Sequence, residues 1–145
     1  MRHTFLFEPA VWLASGTFFR GDGEALSAAS VTEVAHQPSI WLLSGTLKVL
    51  GSPPVEFVSA YRIQPAWRES GTMRWTSEDA TLGALAGTYT VVGDSILSVY
   101  RCDLSGYHGT EALTQLDAET YRSTGVLLLA DRCLSSWHMV LRRDR

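Results

Sequence analysis

Trp41-Leu42-Leu43-Ser44-Gly45-Thr46-Leu47-Lys48-Val49-Leu50, followed by Gly51-Ser52-Pro53-Pro54 and then by Val55-Glu56-Phe57-Val58-Ser59-Ala60-Tyr61-Arg62-Ile63, reads as strand, turn and strand. Successive side chains of an extended chain point to opposite sides. In the first run Trp41, Leu43, Gly45, Leu47 and Val49 therefore share a face opposite Ser44, Thr46 and Lys48. In the second, Val55, Phe57, Ser59, Tyr61 and Ile63 oppose Glu56 and Arg62. Four turn residues are too few for a parallel crossover, so the two strands are antiparallel neighbours.

The same pattern extends over the whole chain. Gly and Pro recur at short, fairly even intervals, from Gly16 and Gly45 through Gly87 and Gly109 to Gly125, and the runs between them are rich in Val, Thr, Ile and aromatics. Strands are expected at 11–20, 24–36, 40–50 and 55–63, then at 72–77, 85–92, 96–102, 107–116, 121–130 and 136–143. Met73 and Trp75 form one inward pair, and Leu85, Tyr89 and Val91 another. From Ile96 onward both faces are apolar, which leaves the inward side open and points to outside contacts such as a second subunit. No run sustains a 3.6-residue period, and 77–86 is the best place for a short helix. Ten sequential antiparallel strands with no helix to cover an open sheet are most economically closed, because closure removes both edges. A two-sheet sandwich would need longer Greek-key connections. The expected fold is all-β: one domain, 1–145, forming a closed antiparallel up-and-down barrel of about ten strands.

Composition narrows the function. Twelve basic and 15 acidic residues are dispersed, with a net charge of −3, so there is no basic stripe for nucleic acid and no polybasic membrane patch. The longest apolar stretch, Val126 to Ala130, is far short of the roughly 20 residues of a membrane helix. The N-terminus reaches Glu8-Pro9 before an apolar signal core develops, which implies a cytoplasmic address. Cys102 and Cys133 form no C-x-x-C pair; reduced thiols are the simple reading, a bridge the alternative. One lysine against eleven arginines, and no asparagine, fit a GC-rich genome.

No nucleophile elbow, H-E-x-x-H or glycine-rich phosphate loop is present, so no catalytic residue, metal ligand or cofactor is expected. His108 and Glu111 lie an odd number of residues apart, on opposite faces of a strand, and cannot act as an acid/base pair there. His36 reads as a rim histidine, and His3 falls in the lead-in segment. The five tryptophans, Trp12, Trp41, Trp67, Trp75 and Trp137, either fill a barrel floor or line a cavity, and both uses look alike in sequence. Tyr61, Tyr89 and Tyr100 carry hydroxyls that need partners if they point inward. An inward Arg101 beside Tyr100 would offer a bidentate site for a carboxylate.

With these residues placed, the chain resembles the calycin superfamily of lipocalin and fatty-acid-binding-protein-like barrels, in particular small bacterial members. The resemblance is carried by Trp12 with Gly16, the repeated strand and turn pattern, and the closing Trp137-His138-Met139-Val140-Leu141-Arg142-Arg143. It departs from lipocalins in that Gly16 follows the tryptophan by four residues instead of preceding it. The resemblance implies that Trp12 plugs one end with Arg142 or Arg143 packed over it. A nitrobindin-like branch would hold haem through His138 in the last strand.

The expected function is non-catalytic binding of a small, largely apolar ligand, with Trp41, Phe57, Tyr61, Trp75 and Tyr89 as wall and Tyr100 or Arg101 anchoring a carboxylate or other acceptor. The alternatives are a filled barrel acting as a homodimeric or larger interaction subunit, and haem binding at His138. An enzyme would require two convergent titratable groups in one pocket.

Overall fold

A computed structural model describes residues 2–65 and 71–145; Trp67 lies outside the described residues. Ten strands follow one another: β1 (Ala10–Arg20), β2 (Ala25–His36), β3 (Trp41–Val49), β4 (Val55–Gln64), β5 (Thr72–Asp79), β6 (Gly83–Val92), β7 (Ser95–Arg101), β8 (Tyr107–Asp117), β9 (Thr120–Leu129) and β10 (Arg132–Asp144). Each pairs antiparallel with its sequence neighbours, and β1 pairs with β10 from Val11↔Asp144 to Arg20↔Ser135, closing a lipocalin-like barrel. All ten expected strands are present.

The short helix expected within 77–86 is not. Thr72–Asp79 stays extended, and the Asp79 carboxylate accepts the backbone N–H groups of Thr81 (2.7 Å) and Leu82 (2.8 Å). That side-chain turn, with Gly83 at φ 90°, folds the chain straight into β6. Weak helix formers at Thr81 and Gly83 offered no competition.

Alternation resolves the inward faces left open after Ile96. Ile96, Ser98 and Tyr100 point inward from β7, Glu111 and Leu113 from β8, Ser123 and Leu127 from β9, and Trp137, Met139 and Leu141 from β10. Leu97 and Val99 face outward and are exposed.

The N-terminal segment closes one end of the barrel. Leu6 is fully buried, in a left-handed conformation (φ 72°) that turns residues 5–8 back across the opening. Phe5, Trp12 and Tyr121 pack against one another with ring centroids 5.4 to 5.8 Å apart. The Tyr121 hydroxyl accepts the N–H groups of Thr4 (3.0 Å) and Phe5 (3.3 Å) and lies 2.8 Å from His3 Nδ1, while His3 Nε2 donates to the Gly93 carbonyl. His3, far from idle, is the bolt of this plug. Arg143 stands opposite Trp12 in the ladder and donates to Glu8 at 2.9 Å. Arg143, and not the exposed Arg142, is therefore the arginine that closes this end with Trp12.

At the opposite end one seam is incomplete. β4 and β5 share only four residue pairs, from Gln64↔Arg74 to Tyr61↔Ser77. Val55 to Ala60 thus pair with β3 alone, leaving a gap in the wall beside the Asp79 turn.

Candidate functional site

The barrel encloses a cavity of about 400 Å3. One wall is aromatic: Trp75, nearly buried, meets Tyr61 edge-on at 4.8 Å and lies 5.9 Å from Tyr89 and 6.2 Å from Tyr100. Its indole N–H donates to Ser98 Oγ at 3.3 Å. The mouth is bounded by Phe18 stacked on Phe57 at 6.3 Å, by Leu47, and by Asp79, Thr81 and Leu82 of the β5–β6 turn, next to the open β4/β5 seam.

Three of the rings lie over a glycine directly across the ladder: Trp75 over Gly87, Tyr100 over Gly109 and Trp137 over Gly125. A Cβ on Gly87 would stand 2.5 Å from Trp75 Cζ2, and one on Gly109 2.6 Å from Tyr100 Cζ. These glycines fall inside strands, as the expected bounds 85–92, 107–116 and 121–130 already had them, and make room for rings.

Halfway along β8, on the inward side, stands Glu111. Its Oε2 accepts hydrogen bonds from Ser123 Oγ (2.9 Å) and Trp137 Nε1 (3.0 Å). Its remaining surface faces the cavity. Burial pushes this carboxyl above its ordinary range, and the two hydrogen bonds pull it partly back. Burial also pushes the phenol of Tyr61 up to about 12, the charge of Glu111 adding to it. Tyr89 and Tyr100 are raised well above the ordinary phenol range, again by burial first and then by the neighbouring charges. Tyr100 donates its hydroxyl to the Val126 carbonyl at 2.9 Å.

Of the residues singled out from sequence, the structure brings Phe57, Tyr61, Trp75, Tyr89 and Tyr100 together around the cavity. Trp41 is elsewhere: it stacks on His36 at 4.0 Å and meets Phe7 edge-on at the plugged end, because its end of β3 lies beyond the cavity floor. Arg101 is no anchor. Its side chain is 66% exposed on the outer face and pairs with Asp103 at 3.1 Å, as alternation from the inward Tyr100 requires. His138 is likewise exposed, its Nδ1 3.4 Å from Thr124 Oγ1, so no haem iron inside the barrel could be ligated by it. Among the described residues no cluster of three His, Cys, Asp or Glu side chains could hold a metal. Cys102 and Cys133 are free thiols. Glu111 and Ser123 are residues that sequence reasoning missed, and Trp137 was left open between floor and cavity wall, because two apolar faces hid the parity of β8 to β10. The usable signal was the pairing of inward rings with in-strand glycines, which fixes that parity.

The sequence matches no family model and no curated protein. Among solved structures the barrel is similar to an S-type phycobiliprotein lyase, CPES, from Guillardia theta: TM-score 0.70, 7% identity, covering 97% of this chain and 91% of that one. At that identity the likeness establishes a shared closed β-barrel fold and leaves function to the site.

Proposed function

We propose that the chain is a carrier that encloses one small, largely apolar molecule in its barrel. The observation that carries this reading is the cavity of about 400 Å3, floored by a hydrogen-bonded plug, walled by Tyr61, Trp75, Tyr89 and Tyr100, and entered beside the short β4/β5 ladder. An apolar occupant gains about 25 cal/mol per Å2 of surface removed from water, and a preformed pocket reduces the ordering cost of binding. That a phycobiliprotein lyase has the same fold is compatible with a functional interior.

The interior does hold several titratable groups, the condition set above for catalysis. Their directions argue for binding. All three phenols are pushed up, so none is an activated nucleophile or a base near neutral pH, and Glu111 is left without a reaction partner. Among the described residues no guanidinium, ammonium or imidazole lines the cavity, so the described wall offers no cation to pair with a ligand carboxylate.

Titration with the neutral fluorophore N-phenyl-1-naphthylamine tests the proposal, together with native mass spectra and absorption spectra of protein purified from cells. Saturable one-to-one binding, or a discrete co-purified mass, is expected. A bare mass together with no fluorescence enhancement would reject the reading.

A homo-oligomeric interaction role is the second reading, favoured by exposed outer-face residues such as Val58 (65%) and Val99 (58%). Light scattering after size exclusion supports it with a dimer mass and rejects it with a monomer. No helix among the described residues is long and apolar enough to cross a membrane. A cytoplasmic address is proposed on the two free thiols, which suit a reducing compartment.

A further inference from the structure

The charges that face the cavity are one-sided. Among the described residues its titratable groups are Glu111 from β8, Tyr61 from β4, Tyr89 from β6 and Tyr100 from β7, with Asp79 at the mouth, and no Arg, Lys or His lines it. Both hydrogen bonds to the Glu111 carboxyl go to Oε2, and Oε1 accepts none among the described residues. The residue keeps accessible surface although it stands halfway along the barrel, so that surface belongs to the cavity. Two donors already directed at one oxygen are arranged to receive a carboxylate. A carboxylate surrounded by rings and without a counter-ion is costly, and the missing partner is a cation. The rings supply the rest. Tyr61, Tyr89 and Tyr100 gather around Trp75 within 6.2 Å, and aromatic faces attract a desolvated ammonium.

Resting on the carrier reading, we propose that the occupant is an apolar organic ammonium whose N–H group bonds to Oε1 of Glu111, its body lying against the aromatic wall. A ligand carboxylate would add a second negative charge beside Glu111 and is rejected on the same grounds. Glu111 is thus the specificity-determining residue of the barrel.

Three probes with one apolar body separate the alternatives in calorimetric titrations: 2-naphthylmethylammonium, 2-naphthylmethanol and 2-naphthoate. The ammonium is expected to bind at least about ten-fold tighter than the alcohol, and the naphthoate weakest. Glu111→Gln should weaken the ammonium by about ten-fold or more and the alcohol by less than about three-fold. Affinity for the ammonium falls as pH drops through the titration of Glu111, and binding near that pH releases a proton, so the measured heat varies with the ionisation enthalpy of the buffer. The three phenols titrate far above that window, and a contribution from Asp79 at the mouth would persist in Glu111→Gln. Trp137→Phe removes one donor to Oε2 and should move the pH midpoint upward, which gives a second reading should Glu111→Gln fail to fold. Equal affinities for the three probes, tightest binding of naphthoate, or a preference unchanged in Glu111→Gln would each overturn the ammonium site and leave the carrier standing. Failure of all three probes and of the neutral fluorophore would overturn both.

Discussion

Gly125 carries Trp137 across its face, and Trp137 holds Glu111, so one missing side chain places the acid of the cavity. Gly125→Ala puts a methyl group into the indole and forces either the ring or the strand aside. Overpacking of this kind costs roughly 1–3 kcal/mol, and the urea midpoint and tryptophan emission should shift together; an unchanged midpoint would show that the ring moves freely. Glu111 itself makes the opposite prediction. Burial raises its folded-state pKa above the ordinary 4.5, so the folded protein binds the proton more tightly than the unfolded chain does. Any stability from this source is present below the ordinary carboxylate range and is lost as pH rises through the raised value. The ligand-free Glu111→Gln protein should therefore be more stable than the native chain at pH 8, with the difference shrinking towards pH 4. Urea denaturation at the two pH values checks this, and a difference independent of pH would contradict it.

At the scale of elements, the plug is the part whose contribution can be separated from the barrel. Phe5 and Leu6 are 4% and 0% exposed, and burying two such side chains contributes roughly 3–6 kcal/mol. A chain lacking residues 2–8 should lose about that much, and it also strands the Tyr121 hydroxyl, as thermal unfolding would show; a loss below about 1 kcal/mol would mean that the floor closes without the plug. This element was invisible to pattern reading, because a short run with no period, Phe5-Leu6-Phe7, gives no sign of folding back over the barrel end. The strands were legible for the opposite reason. Val, Thr and aromatic runs separated by connections of two to five residues, and of seven between β4 and β5, leave few pairings open, and β3 and β4 show their inward faces by plain alternation. Alternation failed from Ile96 onward because Leu97, Val99, Val126 and Leu128 make the outer face as apolar as the inner one. The same loss of parity left Arg101 open as an anchor and kept Glu111 out of the candidate site. The side-chain turn at Asp79 was the remaining miss: a carboxylate capping two N–H groups leaves no periodic trace.

For the whole molecule, closure and an empty interior pull against each other. A closed ladder leaves no full-length edge for aggregation, and a filled interior would be more stable than one with a cavity of about 400 Å3. Other barrels solve this by packing large side chains inward, whereas this one places Ser30, Gly45, Ser59 and Ser123 on the cavity wall. Small polar residues at inward positions forgo burial energy and keep space open, which is the expected trade of stability for a site. Ser30 tests the trade cleanly, since it sits on β2 across from Leu47, away from Glu111 and its two donors. Ser30→Leu should stabilise the chain by roughly 0.5–2 kcal/mol, the range for cavity-filling changes, and should weaken N-phenyl-1-naphthylamine by ten-fold or more. Both effects read from one sample, a higher melting temperature and a lost fluorescence enhancement, would tie the cavity to binding. Stabilisation with the fluorophore still bound would place the probe outside the barrel, and the carrier reading would lose its main support.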